Sequence, residues 1–200
     1  MAKRIAKPLR PDKQPEIEPY VTNEIVDGQK YDLTYWEPMH PFPMEQVTGI
    51  QIIAFNDEGK ILAIRKRKKF DPARKLNIIV GTHEGDDKNY EETTRREARE
   101  EANVALGQLL IAAVIERKLA GASSQQASYH LVMTARVKDF IPYVEYQEPN
   151  ERFFLAKDDF LKRYNAGRPE DIAKLIDMAE FVINESPQYD DYIRHILERF

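Results

Sequence analysis

The amino-acid sequence predicts a mixed α/β or α+β fold, in which helices and strands pack in layers. Runs of β-prone residues separated by turn signals occupy most of the stretch from residue 21 to 80, and one helical pattern separates them from further β-prone runs up to residue 156. After residue 156 the patterns are helical only. This order of strands and helices is typical of a sheet that is covered by helices. The hydrophobic fraction of 42% and the charged fraction of 32% are ordinary for a globular protein and exclude a wholly disordered or collagen-like chain.

The first 46 residues are predicted to form an N-terminal arm that contains a β-hairpin. Seven of the twelve prolines lie at or before Pro43, so this segment cannot be mostly helical. Residues 21–26 and 31–36 are β-prone runs on either side of Asp27-Gly28, a pair that suits a hairpin turn. Because Gln29 and Lys30 fall between the two runs, the expected loop is longer than the tightest hairpin turn.

The main domain is predicted to span residues 47–165, followed by a helical extension over residues 166–200. The β-prone runs of the domain cover residues 47–55, 60–67, 76–80, 109–119, 129–137 and 152–156. The helical patterns cover residues 90–104, 157–164, 169–183 and 189–200. A stripe of small residues is expected to place the first helix close against the sheet, and it consists of Thr94, Ala98, Ala102 and Ala105.

The charge balance and the missing cysteines exclude several kinds of function. The sequence has 30 Lys and Arg residues against 34 Asp and Glu, a net charge of −4, so no general attraction to nucleic acid is expected. The absence of cysteine excludes thiol catalysis, disulfides and Cys-ligated metals. No run approaches the roughly 20 apolar residues of a membrane-spanning helix, and the N-terminus lacks the apolar core of a signal peptide. We therefore expect a cytoplasmic protein without membrane contact.

Three carboxylates share one face of the helix predicted at residues 90–104. Glu97, Glu100 and Glu101 are three and four residues apart, which brings their side chains onto one arc. Like charges at these spacings destabilise a helix unless something positive lies among them. The cluster therefore suggests a hard cation such as Mg²⁺, Mn²⁺ or Ca²⁺, with Arg96 spaced to pair with Glu100. The plainer alternative is a solvated helix face with ordinary Glu–Arg pairs.

The loop before this helix adds a second signal. Gly81 and Gly85 bracket a short acidic loop that follows a β-prone run. Residues 81–104 resemble the Nudix box, in which a Gly and a Glu precede the pattern Arg-Glu-hydrophobic-x-Glu-Glu-x-Gly-hydrophobic. Residues 96–104 match the second half of that box at every position but one, where Asn103 replaces the Gly. The surrounding elements resemble a Nudix domain over about residues 47–164.

The resemblance implies both a fold and an activity. Nudix domains are α/β/α sandwiches around a mixed sheet, and Nudix enzymes cleave a pyrophosphate linkage in a nucleoside diphosphate derivative, such as a nucleotide sugar or a dinucleotide. They hold Mg²⁺ or Mn²⁺ on the box helix, and the metal neutralises phosphate charge and activates water. Carried over position by position, the implied metal ligands are Glu97, Glu100, Glu101 and Asp86. The implied catalytic set is Glu97, Glu100, Glu101 and Arg96.

Several further residues are candidates for the same site. The spacing in the first half of the box is altered, so the upstream acid stays open between Asp86, which matches best, and Glu84 and Asp87. A basic run after the second strand is a candidate phosphate site, although a solvated strand end is the plainer interpretation. Its candidate substrate-binding residues are Arg65, Arg67 and Lys69. The remaining candidates are His83 in the box loop and Glu148 beyond the sheet.

Two other functions stay open at this point. A Nudix-like nucleotide-binding module with weakened catalysis is favoured by the altered spacing, while the retained Arg and Glu residues of the box oppose it. An interaction protein with an acidic helix explains the helix but not the glycine loop before it. The amphipathic pattern over residues 171–182 predicts a packing face, either within the chain or across a homodimer.

Overall fold

The computed structural model of the protein describes residues 19–38, 42–66, 75–123, 126–142, 150–164 and 167–185. Its strands are β1 (Tyr20–Val26), β2 (Gln29–Trp36), β3 (Val47–Phe55), β4 (Ile61–Arg65), β5 (Leu76–Asn77), β6 (Ile79–Gly81), β7 (Val104–Leu106), β8 (Leu110–Leu119), β9 (Ser128–Phe140) and β10 (Glu151–Leu155). Its helices are α1 (Tyr90–Ala102), α2 (Lys157–Arg163) and α3 (Pro169–Asn184), and a 3₁₀ turn covers Met44–Gln46.

The strands form one mixed sheet, as the sequence predicts. The strand order is β1-β2-β8-β9-β3-β4-β10, with β5, β6 and β7 paired to β4, β3 and β9. The pairing of β3 with β9 is parallel, whereas the other neighbours along this order are antiparallel. A parallel pair at the centre with antiparallel strands on both sides makes the α+β architecture.

The N-terminal hairpin is confirmed, but its turn is tighter than expected. Gln29 and Lys30 pair with Val26 and Ile25, so they belong to β2 and not to the loop. Asp27 and Gly28 have φ angles of 51° and 78°, the left-handed values that both central residues of a type I′ turn require. Because β2 pairs with β8, the hairpin continues the main sheet.

Helices cover both faces of this sheet. On one face, Ala98 and Ala102 of α1 are fully buried and pack with Ile50 and Ile52 of β3, as the stripe of small residues predicts. On the other face, Phe160 of α2 and the apolar side of α3 pack with the alternate residues of β3 and β8. The alternation of side chains along β3 therefore supplies both cores of an α/β/α sandwich.

The structure differs from the sequence prediction around two short elements. The run at 76–80 is two strands, because β5 pairs with β4 while β6 pairs with β3, with Ile78 between them. Helix α1 ends at Ala102 because Asn103 adopts a left-handed conformation with φ 50°, so the chain turns into the unpredicted strand β7. The helix predicted at 189–200 lies outside the described residues. None of the described helices has the length and apolar character needed to cross a membrane.

Close packing of α1 on the sheet gives a testable stability prediction. Ala98 has no exposed surface, so Ala98→Leu adds volume where the helix meets the sheet and is expected to cost about 1–3 kcal/mol of unfolding free energy. Arg99→Leu, one residue along on the exposed side, should change it by no more than about 0.5 kcal/mol. Urea unfolding of both variants checks this, and equal stabilities would contradict the packing described for α1.

Candidate active site

The loop between β6 and α1 is fixed at its end by polar contacts to the start of the helix. Asn89 is the N-cap of α1, and its side-chain oxygen accepts the Glu92 N–H at 2.9 Å. The Thr93 hydroxyl, in the first turn, donates to Asp87 at 3.0 Å. Since that hydroxyl has one proton, Nδ1 of His83, 2.8 Å away, acts as the donor toward Thr93. His83 therefore supports the loop through Thr93.

Arg96 joins this loop to α1 through a buried ion pair. Its Nε and NH2 atoms donate to Oδ1 and Oδ2 of Asp87 at 3.1 and 3.0 Å, a two-pronged contact. These hydrogen bonds lower the pKa of Asp87 from 3.8 to about 2 against the opposing effect of burial, and they raise the pKa of Arg96. The Asp87 side chain is only 5% exposed and that of Arg96 is 20% exposed, so most of the pair is shielded from water.

The remaining edge of the Arg96 guanidinium faces the carboxylates of the helix. Its NH1 atom lies 3.1 Å from an oxygen of Glu97 and 3.1 Å from an oxygen of Glu100. NH2 also donates to the carbonyl of Thr82 at 3.0 Å, which ties the same guanidinium to the loop backbone. One cationic nitrogen thus lies between two of the three predicted acids and offsets their repulsion.

Glu97 lies directly against the backbone of β6. A methyl group added at Gly81 would overlap Cγ and Cδ of Glu97, so only glycine leaves room for this side chain. Glu97 is 8% exposed. Burial raises its pKa, although the charge of Arg96 and a hydrogen bond from the Thr82 backbone act in the opposite direction. The glycine of the loop and the first acid of the helix therefore form one packed unit.

Glu101 contacts a different set of groups, at the C-terminal end of α1. Asn150 Nδ2, just before β10, donates to Oε2 of Glu101 at 2.8 Å. The ammonium of Lys66, just after β4, lies 3.4 Å from Oε1. The Glu101 side chain is 23% exposed, so it is still open to solvent on one side.

The three acids suit a hard divalent cation by their chemistry. All offer carboxylate oxygens, the ligands that Mg²⁺ and Mn²⁺ prefer. Glu97 and Glu100 already hold a positive nitrogen between them. Among the residues that the structure describes, no three His, Asp or Glu side chains converge as a ready metal cage. The donor set fits the ion by its chemistry, and Glu101 has contacts of its own, with Asn150 and Lys66.

A cavity of about 690 Å³ lies on the other side of β6, between the N-terminal hairpin, the sheet and α3. Val80 faces this cavity, while the next residue, Gly81, contacts Glu97. The cavity wall includes Arg117, whose Nε donates to Glu24 of β1 at 2.7 Å. His130 also lines it, and burial together with the charge of Arg117 lowers its pKa, so the ring is neutral at pH 7. The cavity thus combines apolar walls with neutral and internally paired polar groups.

The other predicted site residues lie apart from the three acids or outside the described structure. Arg65 pairs with Glu151 across the β4–β10 register and stacks on the Phe153 ring, so its charge is balanced inside the sheet. Asp86 is exposed at the loop surface, and Glu84 is exposed with an oxygen 3.5 Å from Arg96. The placement favours Asp87 as the upstream acid of the box. Outside the described residues lie Arg67, Lys69 and Glu148.

Two parts of this region are not predicted by the sequence. The contact of Asn150 with Glu101 joins residues 49 positions apart, and a lone Asn before a short strand carries no signal for it. The cavity combines residues from the hairpin, β8 and β9, which share no motif. Strand alternation in β8 and β9 is a partial signal, because it places Arg117 and His130 on the face opposite α1.

Comparison with known proteins gives a family match and several structural likenesses. The model of the NUDIX domain matches residues 46–182. Bacillus subtilis pyrophosphohydrolase BsRppH has a TM-score of 0.54 at 13% identity over 78% of this chain and 94% of its own. A NUDIX hydrolase from Nitrosomonas europaea has a TM-score of 0.51 at 16% identity, with 66% and 87% covered. The NUDIX domain of Shewanella oneidensis NrtR, complexed with ADP ribose, has a TM-score of 0.50 at 14% identity, with 70% and 92% covered. No curated protein matches the sequence.

The buried Asp87–Arg96 pair gives a pH-dependent stability prediction. Asp87→Asn removes the charge that Arg96 contacts and is expected to cost about 1.5–3 kcal/mol of unfolding free energy at pH 6. Because the folded-state pKa of Asp87 is lowered, this stabilisation is complete above pH 3.8 and is lost as pH falls through about 2. Urea unfolding of the parent and the variant, measured from pH 6 downward, should show that the difference in unfolding free energy between them becomes smaller.

A nearby acid provides the control for that measurement. Glu84→Gln removes an exposed carboxylate 3.5 Å from the same guanidinium and should change stability by less than about 1 kcal/mol. If Asp87→Asn were as stable as the parent at pH 6, the ion pair would not hold the loop to the helix.

Proposed function

The chain belongs to the NUDIX domain family, and we propose that it is a hydrolase that cleaves a pyrophosphate linkage in a nucleoside diphosphate derivative. One observation carries the proposal: Glu97 of the box is seated on Gly81, and the Arg96 guanidinium joins it to Glu100 on the acid face of α1. We also propose a cytoplasmic location, as the sequence predicts, and a homodimer, which the sequence leaves open.

We propose Mg²⁺ or Mn²⁺ as the cofactor, with Glu100 and Glu101 as its principal ligands and Glu97 beside them. When bound, the ion supplies neutralising charge for the phosphate oxygens and activates the attacking water. Glu97 has a pKa raised by burial, so its carboxylate accepts a proton more readily than that of an exposed glutamate. Arg96 keeps Glu97 and Glu100 in place. It stays protonated, because Asp87 raises its pKa, so it takes no part in proton transfer.

The cavity between the hairpin, the sheet and α3 suits an uncharged organic group. Its charged residues are paired with each other, as Arg117 is with Glu24, and His130 is neutral. Apolar side chains such as Ile78 and Ile115 line it. Such a wall suits the base and ribose of a nucleoside better than a phosphate chain, which needs unpaired positive charge.

The proposal is tested by hydrolysis of a panel of nucleotide sugars, dinucleotides and nucleoside triphosphates with Mg²⁺ or Mn²⁺. At least one nucleoside diphosphate derivative should be cleaved, and a chelator should abolish the reaction. Glu100→Gln and Glu101→Gln should each lower kcat by about 100-fold or more, because charge stabilisation in the transition state is lost. Glu91→Gln, on the same helix but paired with Arg95, should leave kcat unchanged.

Two results would contradict the proposal: no cleavage of any compound, or glutamine variants as fast as the parent. In the first case the nucleotide-binding module becomes the better hypothesis. A thermal shift that grows with nucleotide concentration would then identify it, since a ligand that binds the folded state alone raises stability by mass action.

The glycine under Glu97 gives a second test of the same site. Gly81→Ala places a methyl group where Cγ and Cδ of Glu97 lie, and this flexible side chain can rotate away without disturbing the core. We expect kcat to fall by about 100-fold, because the acid is moved by an ångström or more, with little change in stability. Gly85→Ala is the matched control, since nothing lies within 4 Å of its added methyl group. Full activity of Gly81→Ala would show that the position of Glu97 is not needed.

A further inference from the structure

Asn150 contacts the last acid of α1 in two ways. Its Nδ2 donates to Oε2 of Glu101 at 2.8 Å and to the main-chain oxygen of the same residue at 3.1 Å. One amide group therefore fixes the carboxylate relative to the helix that carries it. We propose that Asn150 is a positioning residue, which holds Glu101 in the orientation that receives the divalent cation. This inference rests on the proposed function and deepens it.

Asn150 is itself held by the strand that follows it. Glu151 pairs with Arg65 of β4 in the strand register, and an ion pair joins their side chains. Arg152 donates through NH1 to the carbonyls of Ala102 and Asn103, both at 2.9 Å. These carbonyls belong to the end of α1, where the helix itself provides no N–H partner. The segment around Asn150 is thus attached both to the sheet and to the helix end.

The chemistry of the contact suits a support for a metal ligand. A neutral amide leaves the full negative charge on Glu101 and uses one of about four lone-pair directions of the carboxylate. The other oxygen, Oε1, faces the ammonium of Lys66 at 3.4 Å, so that side already stabilises positive charge. Residues that orient a ligand in this way typically contribute a factor of about 10–100 to metal affinity.

The test measures Mn²⁺ binding to the full chain, by electron paramagnetic resonance of the free ion. We expect Asn150→Ala to raise the Kd for Mn²⁺ about 10-fold or more, because Glu101 loses its fixed orientation. The same change in a chain that carries Glu101→Gln should have no further effect, since the carboxylate through which Asn150 acts is gone. A double-mutant cycle of this kind separates a role through Glu101 from a general weakening of the helix end.

A matched control and the unfolding curves complete the experiment. Asn184→Ala removes an amide that contacts Arg136 at the far end of α3 and should leave the Kd unchanged. Urea unfolding should show every variant folded under the binding conditions. The inference is overturned if Asn150→Ala binds Mn²⁺ as tightly as the parent, or weakens binding equally with and without Glu101→Gln. If the parent itself binds no Mn²⁺, the metal-dependent function proposed above fails together with this inference. If the parent binds Mn²⁺ and Asn150→Ala binds it as tightly, only the inference about Asn150 fails.

Discussion

The planar guanidinium of Arg96 is the group on which the arrangement of the acid face depends. One edge contacts both oxygens of Asp87, and the NH1 atom contacts Glu97 and Glu100. Because the group is rigid, the distance between the loop and the helix is fixed by its width. The same contacts stabilise two carboxylates that would otherwise repel each other at adjacent turns. A lysine at this position would provide the charge without the two-sided geometry.

The sequence predicts the parts of the site that depend on local spacing. Glu97, Glu100 and Arg96 meet because residues three and four apart share a helix face, and this holds wherever the helix packs. The choice between Asp86 and Asp87 depends on which side chain turns inward from a loop, and the spacing of the box does not determine that direction. The structure buries Asp87 and leaves Asp86 in solvent.

Contacts between distant segments account for most of what the sequence does not predict. Arg65 is read as a phosphate-binding residue from its basic neighbours, yet the strand register pairs it with Glu151, 86 residues away. Asn150 reaches Glu101 through the same β4–β10 pairing. Short strands such as β7 are not predicted, because three residues carry too little pattern. The left-handed Asn103 that precedes β7 resembles an ordinary helix end.

The parallel pairing of β3 with β9 has a consequence for how the protein acquires its shape. The two strands are about eighty residues apart, as in the hydrogen bond from Thr134 to the Ile53 carbonyl, 81 positions away. Helix α1 and the hairpins form from near neighbours, whereas this central pair must close a long loop first. During synthesis, β3 has a complete set of neighbours only after residue 136 has left the ribosome. Until then β3 lacks the partner that completes the centre of the sheet. The same strand pairs with β6, whose last residue, Gly81, contacts Glu97.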